Sequence, residues 1–159
     1  MNDLRNLRTG LGMDVHAFAS GRKLILGGVD IPHHQGLDGH SDADVLAHAI
    51  SDALLGAVRG GDIGKLFPDT DPAYKDVDSL KLLAEVARFV RERGFEIIDV
   101  DSVIAAQAPK LSPYREQMRE NLARAMGLPV ENVGVKATTS EGMGFEGEGL
   151  GISAQAAAM

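Results

Sequence analysis

Asp14 and His16 stand two residues apart in a stretch with strand character, so their side chains leave one face and can converge on a single ion. His48 falls on a helical pattern downstream, one turn from Asp44 and one turn from Asp52, which sets these three on one helix face. One carboxylate and two imidazoles match the ligand count of a catalytic zinc site, which keeps a fourth position open for substrate. The same spacing also suits a core histidine bonded to Asp44 or Asp52, and His40, Asp42 and Asp44 compete as ligands. Spacing therefore leaves the choice open. The histidines are nonetheless concentrated in the first third of the chain, at positions 16, 33, 34, 40 and 48.

Other residues are suited to anions. Ser41 is an N-cap type of residue ahead of an apolar helical repeat, with Asp44 three positions on. Free N–H groups and the positive dipole end at such a start, with His40 and Ser41 at its mouth, suit a phosphate. An ordinary cap has the same appearance. Thr138, Thr139, Ser140 and Glu141 follow a strand and precede a glycine-rich segment, offering hydroxyls and a hard oxygen ligand to a magnesium-bound phosphate. A solvated turn has this composition too. Asp62, Asp69 and Asp71 suit sugar hydroxyls or, more simply, turn formation.

The elements that must position these groups follow from periodicity. Residues 8–13 read as a short strand leading into Asp14-Val15-His16 at the strand end, and 24–26 with 29–31 after Gly27-Gly28 read as a hairpin or bent strand. A loop is expected from Pro32 to His40, then a helix from Ser41 to about Val58. Residues 61–78 form a long loop with two prolines and five aspartates. Helices are expected from Ser79, capped by Asp78, to Gly94, and from Ser112-Pro113 to Met126. Strands are expected at 95–107, 133–137 and 150–158. This alternation predicts one α/β (α+β) domain over 1–159, a mixed sheet covered by helices on one face.

Composition narrows the functional classes. The 159 residues carry 16 Lys plus Arg against 23 Asp plus Glu, a formal net charge of −7, and aromatics are only 4%. An acidic chain poor in aromatics lacks the basic footprint and stacking surface that nucleic acid requires, so no nucleic-acid partner is expected. Cysteine is absent, so a metal must rest on His and carboxylate. No apolar run approaches about 18 residues and MNDLRNLRTG has no signal-type segment. A cytoplasmic protein without membrane association is expected.

Taken together, segments spread over nearly the whole chain resemble the 2-C-methyl-D-erythritol 2,4-cyclodiphosphate synthase family of the non-mevalonate isoprenoid pathway. They are Asp14-Val15-His16-Ala17-Phe18, Leu26-Gly27-Gly28, His40-Ser41-Asp42-Ala43-Asp44-Val45, His48, the stretch from Gly61 to Asp71, Ala106-Gln107-Ala108-Pro109-Lys110, Val135 to Glu141, and Gly144-Phe145. The resemblance implies a homotrimer with its sheets facing the trimer axis and active sites between subunits. It implies a cytidine diphosphate substrate, 4-diphosphocytidyl-2-C-methyl-D-erythritol 2-phosphate, whose 2-phosphate attacks the β-phosphorus to give a cyclic diphosphate and CMP.

By position, the resemblance makes Asp14, His16 and His48 the ligands of Zn2+ or another divalent transition metal. Glu141 matches the ligand of a Mg2+ or Mn2+ bridging the diphosphate, and His40 and Thr139 match positions that stabilise the transition state. Ser41, Asp62, Ile63, Gly64, Phe67, Pro68, Asp69, Thr70 and Asp71 match the methylerythritol phosphate pocket. Ala106, Gln107, Ala108, Pro109, Lys110, Leu111, Ser112 and Thr138 match the cytidine and diphosphate contacts, and Val15, Ser140 and Phe145 complete the substrate set. Lys110, Lys136 and a helix N-terminus are expected to help neutralise the phosphates. A bacterial cytoplasm fits, or a plastid stroma if a transit peptide has been trimmed.

The chain departs from this pattern at Glu148 and Leu150, where many members carry Arg and then Glu, and at Gly142-Met143. The Arg position serves an isoprenoid diphosphate in the family's axial cavity, so a carboxylate there predicts weak or absent binding of such a ligand. Rival readings are a zinc-dependent phosphohydrolase using the same Asp/His/His set, which gives an acyclic product, and a metal-storing scaffold without turnover.

Overall fold

The computed structural model describes residues 4–159; positions 1–3, part of the N-terminal stretch read above, lie outside the described residues. One mixed five-stranded sheet is built from β1 (Gly10–Ala19), β4 (Gly36–Leu37), β5 (Val100–Ala105), β6 (Lys136–Thr138) and β7 (Gly151–Ala158). Its order is β4-β1-β7-β5-β6, with β5 and β6 parallel and the other pairs antiparallel. A separate ribbon pairs β2 (Leu24–Leu26) with β3 (Val29–Ile31). Its turn places Gly27 and Gly28 at φ 54° and 72°, the two positive values that a tight hairpin needs.

Helix α1 (Val45–Ala57) lies on one face of the sheet, and α3 (Ser79–Glu92) packs on α1 with α4 (Arg115–Met126) against α3. Short helices α2 (Ile63–Leu66) and α5 (Gly144–Gly147) sit in the two long connections. Helix α1 is apolar nearly all round because it is sandwiched, with Val45, Leu46, Ala49, Ile50, Ala53 and Leu55 fully buried. The opposite face of the sheet is bare, exposing Leu11, Met13 and Val15 on β1 with Gln155 and Ala157 on β7. Helices on one face only is the expected architecture.

Strand β1 touches α1 through backbone. A Cβ on Gly10 would lie 1.9 Å from the Ala53 carbonyl oxygen, and one on Gly12 would lie 1.8 Å from that of Ala49. Strand alternation puts Gly10, Gly12, Asp14 and His16 on this one face. The close approach that glycine permits at its start is what brings the side chains further along within reach of α1.

Several boundaries differ from expectation. Helix α1 starts at Val45, with Asp44 rather than Ser41 as its cap. The reason is that residues 41–44 form a turn in which Ala43 takes φ 58° and its N–H bonds to Ser41 Oγ. Strand β1 runs on through Asp14 and His16 instead of ending there. The loop from Pro32 contains β4, and α2 and a 3-10 turn (Pro72–Tyr74) break up the 61–78 segment. Strand β5 runs only from Val100 to Ala105, although Ile98 and Asp99 bond to Met159 ahead of it. Strand β6 is confined to 136–138, and 112–114 is a 3-10 turn ahead of α4. No helix among the described residues is long and apolar enough to cross a membrane.

Candidate active site

The three expected ligands meet. Asp14 Oδ2 lies 2.9 Å from His16 Nε2 and 3.1 Å from His48 Nδ1, and the two ring nitrogens are 3.4 Å apart. Among the described residues this is the Asp/His cluster whose ligand atoms are close enough to share one ion. Backbone placement is shared by strand and helix: β1 supplies Asp14 and His16, and α1 supplies His48.

The far nitrogens explain why these faces are presented. His16 Nδ1 donates to the Asp38 carbonyl at 2.6 Å, and a carbonyl can only accept, so Nε2 is left with its lone pair toward Asp14. His48 Nε2 lies 2.8 Å from Ser79 Oγ and 3.2 Å from Ser41 Oγ, which leaves Nδ1 on the inner side. Three electron-rich atoms thus face one another, which is tolerable only with a proton or cation between them. The electrostatics follow this geometry. Burial alone would raise the Asp14 carboxyl, but hydrogen bonds with His16 and His48 and their charge outweigh it and hold Asp14 at about 2. Burial would lower His16, yet the Asp14 hydrogen bond and charge push it above its ordinary value.

His48 is therefore not a core histidine bonded to Asp44 or Asp52. Asp44 is fully buried and points away, accepting from the N–H groups of Gly27, Gly28 and Ala47. Asp52 accepts from Ile63 N at 2.7 Å and ties α2 to α1. With the Asp44 carboxylate already capping α1 and its first turn buried, that helix offers no free N-terminus to a phosphate at His40 and Ser41. The expectation of an anion site built on it is corrected.

A cavity of about 370 Å³ opens from the metal-type cluster, lined by His16, His40, Ser41, His48, Ile63, Gly64, Phe67, Asp69 and Tyr74 among others. His40 Nε2 donates to the Asp71 carbonyl at 3.1 Å, joining the 40–41 turn to the 61–76 segment. Asp62 and Asp71 both act as caps, on Lys65 N and Ala73 N, so part of their role is in turn formation. Arg22 donates to the Leu37 and Ser41 carbonyls and fixes the same turn from the other side.

A second cavity of about 340 Å³ is lined by Ala106, Gln107, Pro109, Lys110, Leu111, Ser112, Ala137, Thr138 and Thr139. The Ala108–Pro109 bond is cis there. Thr139 Oγ1 contacts Glu141 Oε1 at 3.4 Å, and Gly142 N–H reaches Gln107 Oε1 at 3.4 Å. Both cavities lie at the end of the sheet where β1, β5 and β6 finish. They sit at its opposite edges, because β7 and β5 intervene between β1 and β6. Glu141 and Thr139 are thus not brought to Asp14, His16 and His48 within one chain. Val15 faces outward on the bare side of the sheet, and Phe145 is partly exposed on α5. Lys136 pairs with Asp101 at 2.6 Å on the surface and lines neither of these two cavities. Sequence reading missed the Asp38 carbonyl and the Ser79 hydroxyl, which orient the two histidines.

Residues 7–159 match the model of the YgbB family. The chain is 61% identical over 150 residues to the 2-C-methyl-D-erythritol 2,4-cyclodiphosphate synthase of Desulfitobacterium hafniense (strain DSM 10664 / DCB-2), covering 94% of this chain and 95% of that one. It is similar to the bifunctional IspDF of Campylobacter jejuni, with 44% identity and a TM-score of 0.92, over 96% of this chain and 42% of that longer one. It also resembles a 2C-methyl-D-erythritol-2,4-cyclodiphosphate synthase solved in a CDP-bound form, with 39% identity and a TM-score of 0.87, over 96% of this chain and 99% of that one.

Proposed function

The chain belongs to the YgbB family, and on that premise we propose that it is a cyclodiphosphate synthase: it converts 4-diphosphocytidyl-2-C-methyl-D-erythritol 2-phosphate to the 2,4-cyclodiphosphate and CMP. An oxygen of the 2-phosphate forms a bond to the β-phosphorus, the bond from that phosphorus to the bridging oxygen breaks, and CMP departs with that oxygen. No water enters the products.

The observation that carries the reading is the convergence of Asp14 Oδ2, His16 Nε2 and His48 Nδ1, three unshared pairs with their far sides already satisfied. These residues fit a divalent metal, with zinc the expected ion. Bound there, such an ion supplies positive charge against the charge that builds on the phosphates. His40 and Ser41, on their tethered turn, are positioned to donate to the methylerythritol phosphate end, and Ile63, Gly64 and Phe67 to Asp71 wall that end. Ala106 to Ser112 and Thr138 take the cytidine and diphosphate, with Lys110 adding charge. Thr139 is the hydroxyl that stabilises the reacting diphosphate, and Glu141 is the ligand for Mg2+ or Mn2+. The nucleophile is already ionised and the leaving group good, so positioning governs the rate rather than a strong base.

One chain holds the two halves at opposite sheet edges, which supports a homotrimer with each active site completed by the neighbouring subunit and the bare sheet faces turned inward. The cellular setting proposed is the bacterial cytoplasm, or plastid stroma after removal of a transit peptide. The test is incubation of purified protein with the substrate and magnesium, with and without a zinc chelator, followed by phosphorus NMR. Metal-dependent formation of CMP and a cyclic diphosphate is expected. An acyclic phosphate would instead identify a hydrolase, and metal binding without turnover a scaffold.

A further inference from the structure

We infer that Ser79, held by Asp42, is a positioning residue that fixes the hydrogen of His48 on Nε2 and so presents Nδ1 to the metal. The inference rests on the proposed metal reading and extends it beyond the ligands themselves.

Asp42 accepts a backbone N–H at each oxygen, from Asp44 at Oδ1 and from Ser79 at Oδ2, both at 3.1 Å, so its carboxylate serves as an acceptor. Ser79 Oγ contacts the same Oδ1 closely and donates to it. A hydroxyl has one hydrogen. Once that hydrogen is given to Asp42, Ser79 Oγ can only accept from His48 Nε2, 2.8 Å away. The Nε2 position must then carry a ring hydrogen, which leaves Nδ1, 3.1 Å from Asp14 Oδ2, as the nitrogen on the metal side. Ser41 Oγ also accepts the Ala43 N–H and lies farther from Nε2, at 3.2 Å, so Ser79 is the closer of the two hydroxyls on that nitrogen.

The hydroxyl of Ser79 is not spent on local structure. Helix α3 is capped by Asp78, whose side chain accepts from Leu80 N, so the first residue of the helix has no capping duty. Ser79 is nevertheless fully buried at the back of the imidazole. The chain Asp42, Ser79, His48 also links α3, the 41–44 turn and α1 at one point. Outer partners of this kind set the tautomer and orientation of ligating histidines, and losing one typically costs about 10–100-fold in metal affinity.

The test uses the full-length protein with 15N-labelled histidine. In the metal-free wild type, long-range 1H–15N correlation is expected to show a hydrogen on His48 Nε2. In Ser79→Ala it should show a mixture, and zinc affinity measured against a chromogenic chelator should fall about 10–100-fold. Ser79→Thr, which keeps a hydroxyl, should lie closer to wild type on both readouts. An Nδ1–H tautomer in wild type would overturn the inference, and that spectrum decides the matter even if the alanine variant fails to fold. Unchanged tautomer and affinity in folded Ser79→Ala would overturn it as well. A wild-type protein that binds no zinc would overturn the metal reading, and this inference with it.

Discussion

His48 Nδ1 lies 3.1 Å from Asp14 Oδ2 across 34 residues of sequence, joining the middle of a strand to the first turn of a buried helix. Among the described residues, His16 is the one that adds a third ligand-type atom to this pair. Removing either nitrogen therefore removes a third of the metal set. His48→Ala and His16→Ala are expected to lower bound zinc at least tenfold, read by elemental analysis after dialysis, and to abolish turnover. Retained turnover in zinc-depleted His48→Ala would sink the ligand assignment.

The approach of β1 to α1 makes Gly12 irreplaceable. A methyl group there meets the Ala49 carbonyl at 1.8 Å, and backbone cannot step aside as a side chain can. Gly12→Ala is expected to destabilise the fold by about 1–3 kcal/mol or more, measured by urea denaturation, and to weaken zinc binding by displacing His48 from Asp14. Wild-type stability in this variant would mean the contact yields easily.

Metal and proton compete for His16. Its value in the folded, metal-free protein is raised above 6.5 by Asp14 despite burial, so Nε2 is increasingly protonated as pH falls through that raised value. Zinc affinity is then expected to drop by about tenfold per pH unit, beginning above pH 6.5, as one proton must leave for the ion to bind. Stability of the metal-free protein shows the signs separately. The His16 contribution is fully present below 6.5 and lost as pH rises through the folded value. The Asp14 contribution is present above 3.8 and lost as pH falls toward about 2. A zinc titration flat between pH 5 and 8 would contradict the competition.

Thr139 is exposed and its hydroxyl contacts only Glu141, in both directions at 3.4 Å, so the fold does not depend on it. Thr139→Val is expected to leave melting within about 0.5 kcal/mol of wild type. Turnover should fall by about 10²–10³-fold, the usual cost of one donor at a reacting oxyanion. An unchanged rate would show that the hydroxyl is dispensable.

Glu148 ends α5 on the surface, beside the exposed Leu150, and Glu146 reaches Ser153 on the bare sheet face at 2.7 Å. Carboxylates in this segment repel a diphosphate. Native mass spectrometry of the purified assembly is expected to show no bound isoprenoid diphosphate, and finding one would contradict the reading.

Part of the metal cluster was legible: alternation placed Asp14 with His16, while the helical repeat set His48 on one face with Asp44 and Asp52 and left its partner open. The hairpin at Gly27-Gly28 was legible for a similar reason, since few sequences turn so tightly. The start of α1 was not. Ser41, Asp42 and Asp44 are all good caps, and the choice among them was made by the Asp44 carboxylate reaching the hairpin N–H groups and by Ala43 adopting a left-handed conformation, neither of which is a local preference. The Asp38 carbonyl behind His16 leaves no trace in residue type at all. Nor does sequence order reveal that the 14–71 and 106–141 groups stand at opposite edges, because that follows from β7 inserting between β1 and β5.

That separation has a genetic consequence. Under the proposed pairing of edges, a lesion in one half and a lesion in the other reside on different walls of the same active site. Mixing inactive His48→Ala and Thr139→Val chains and allowing them to exchange would regenerate one wholly intact site in every mixed trimer. With equal amounts and random assortment, three quarters of trimers are mixed and one site in three of those is whole, so activity should return to about one quarter of wild type. Two dead alleles would complement each other, whereas two lesions on the same wall, such as His16→Ala with His48→Ala, would not.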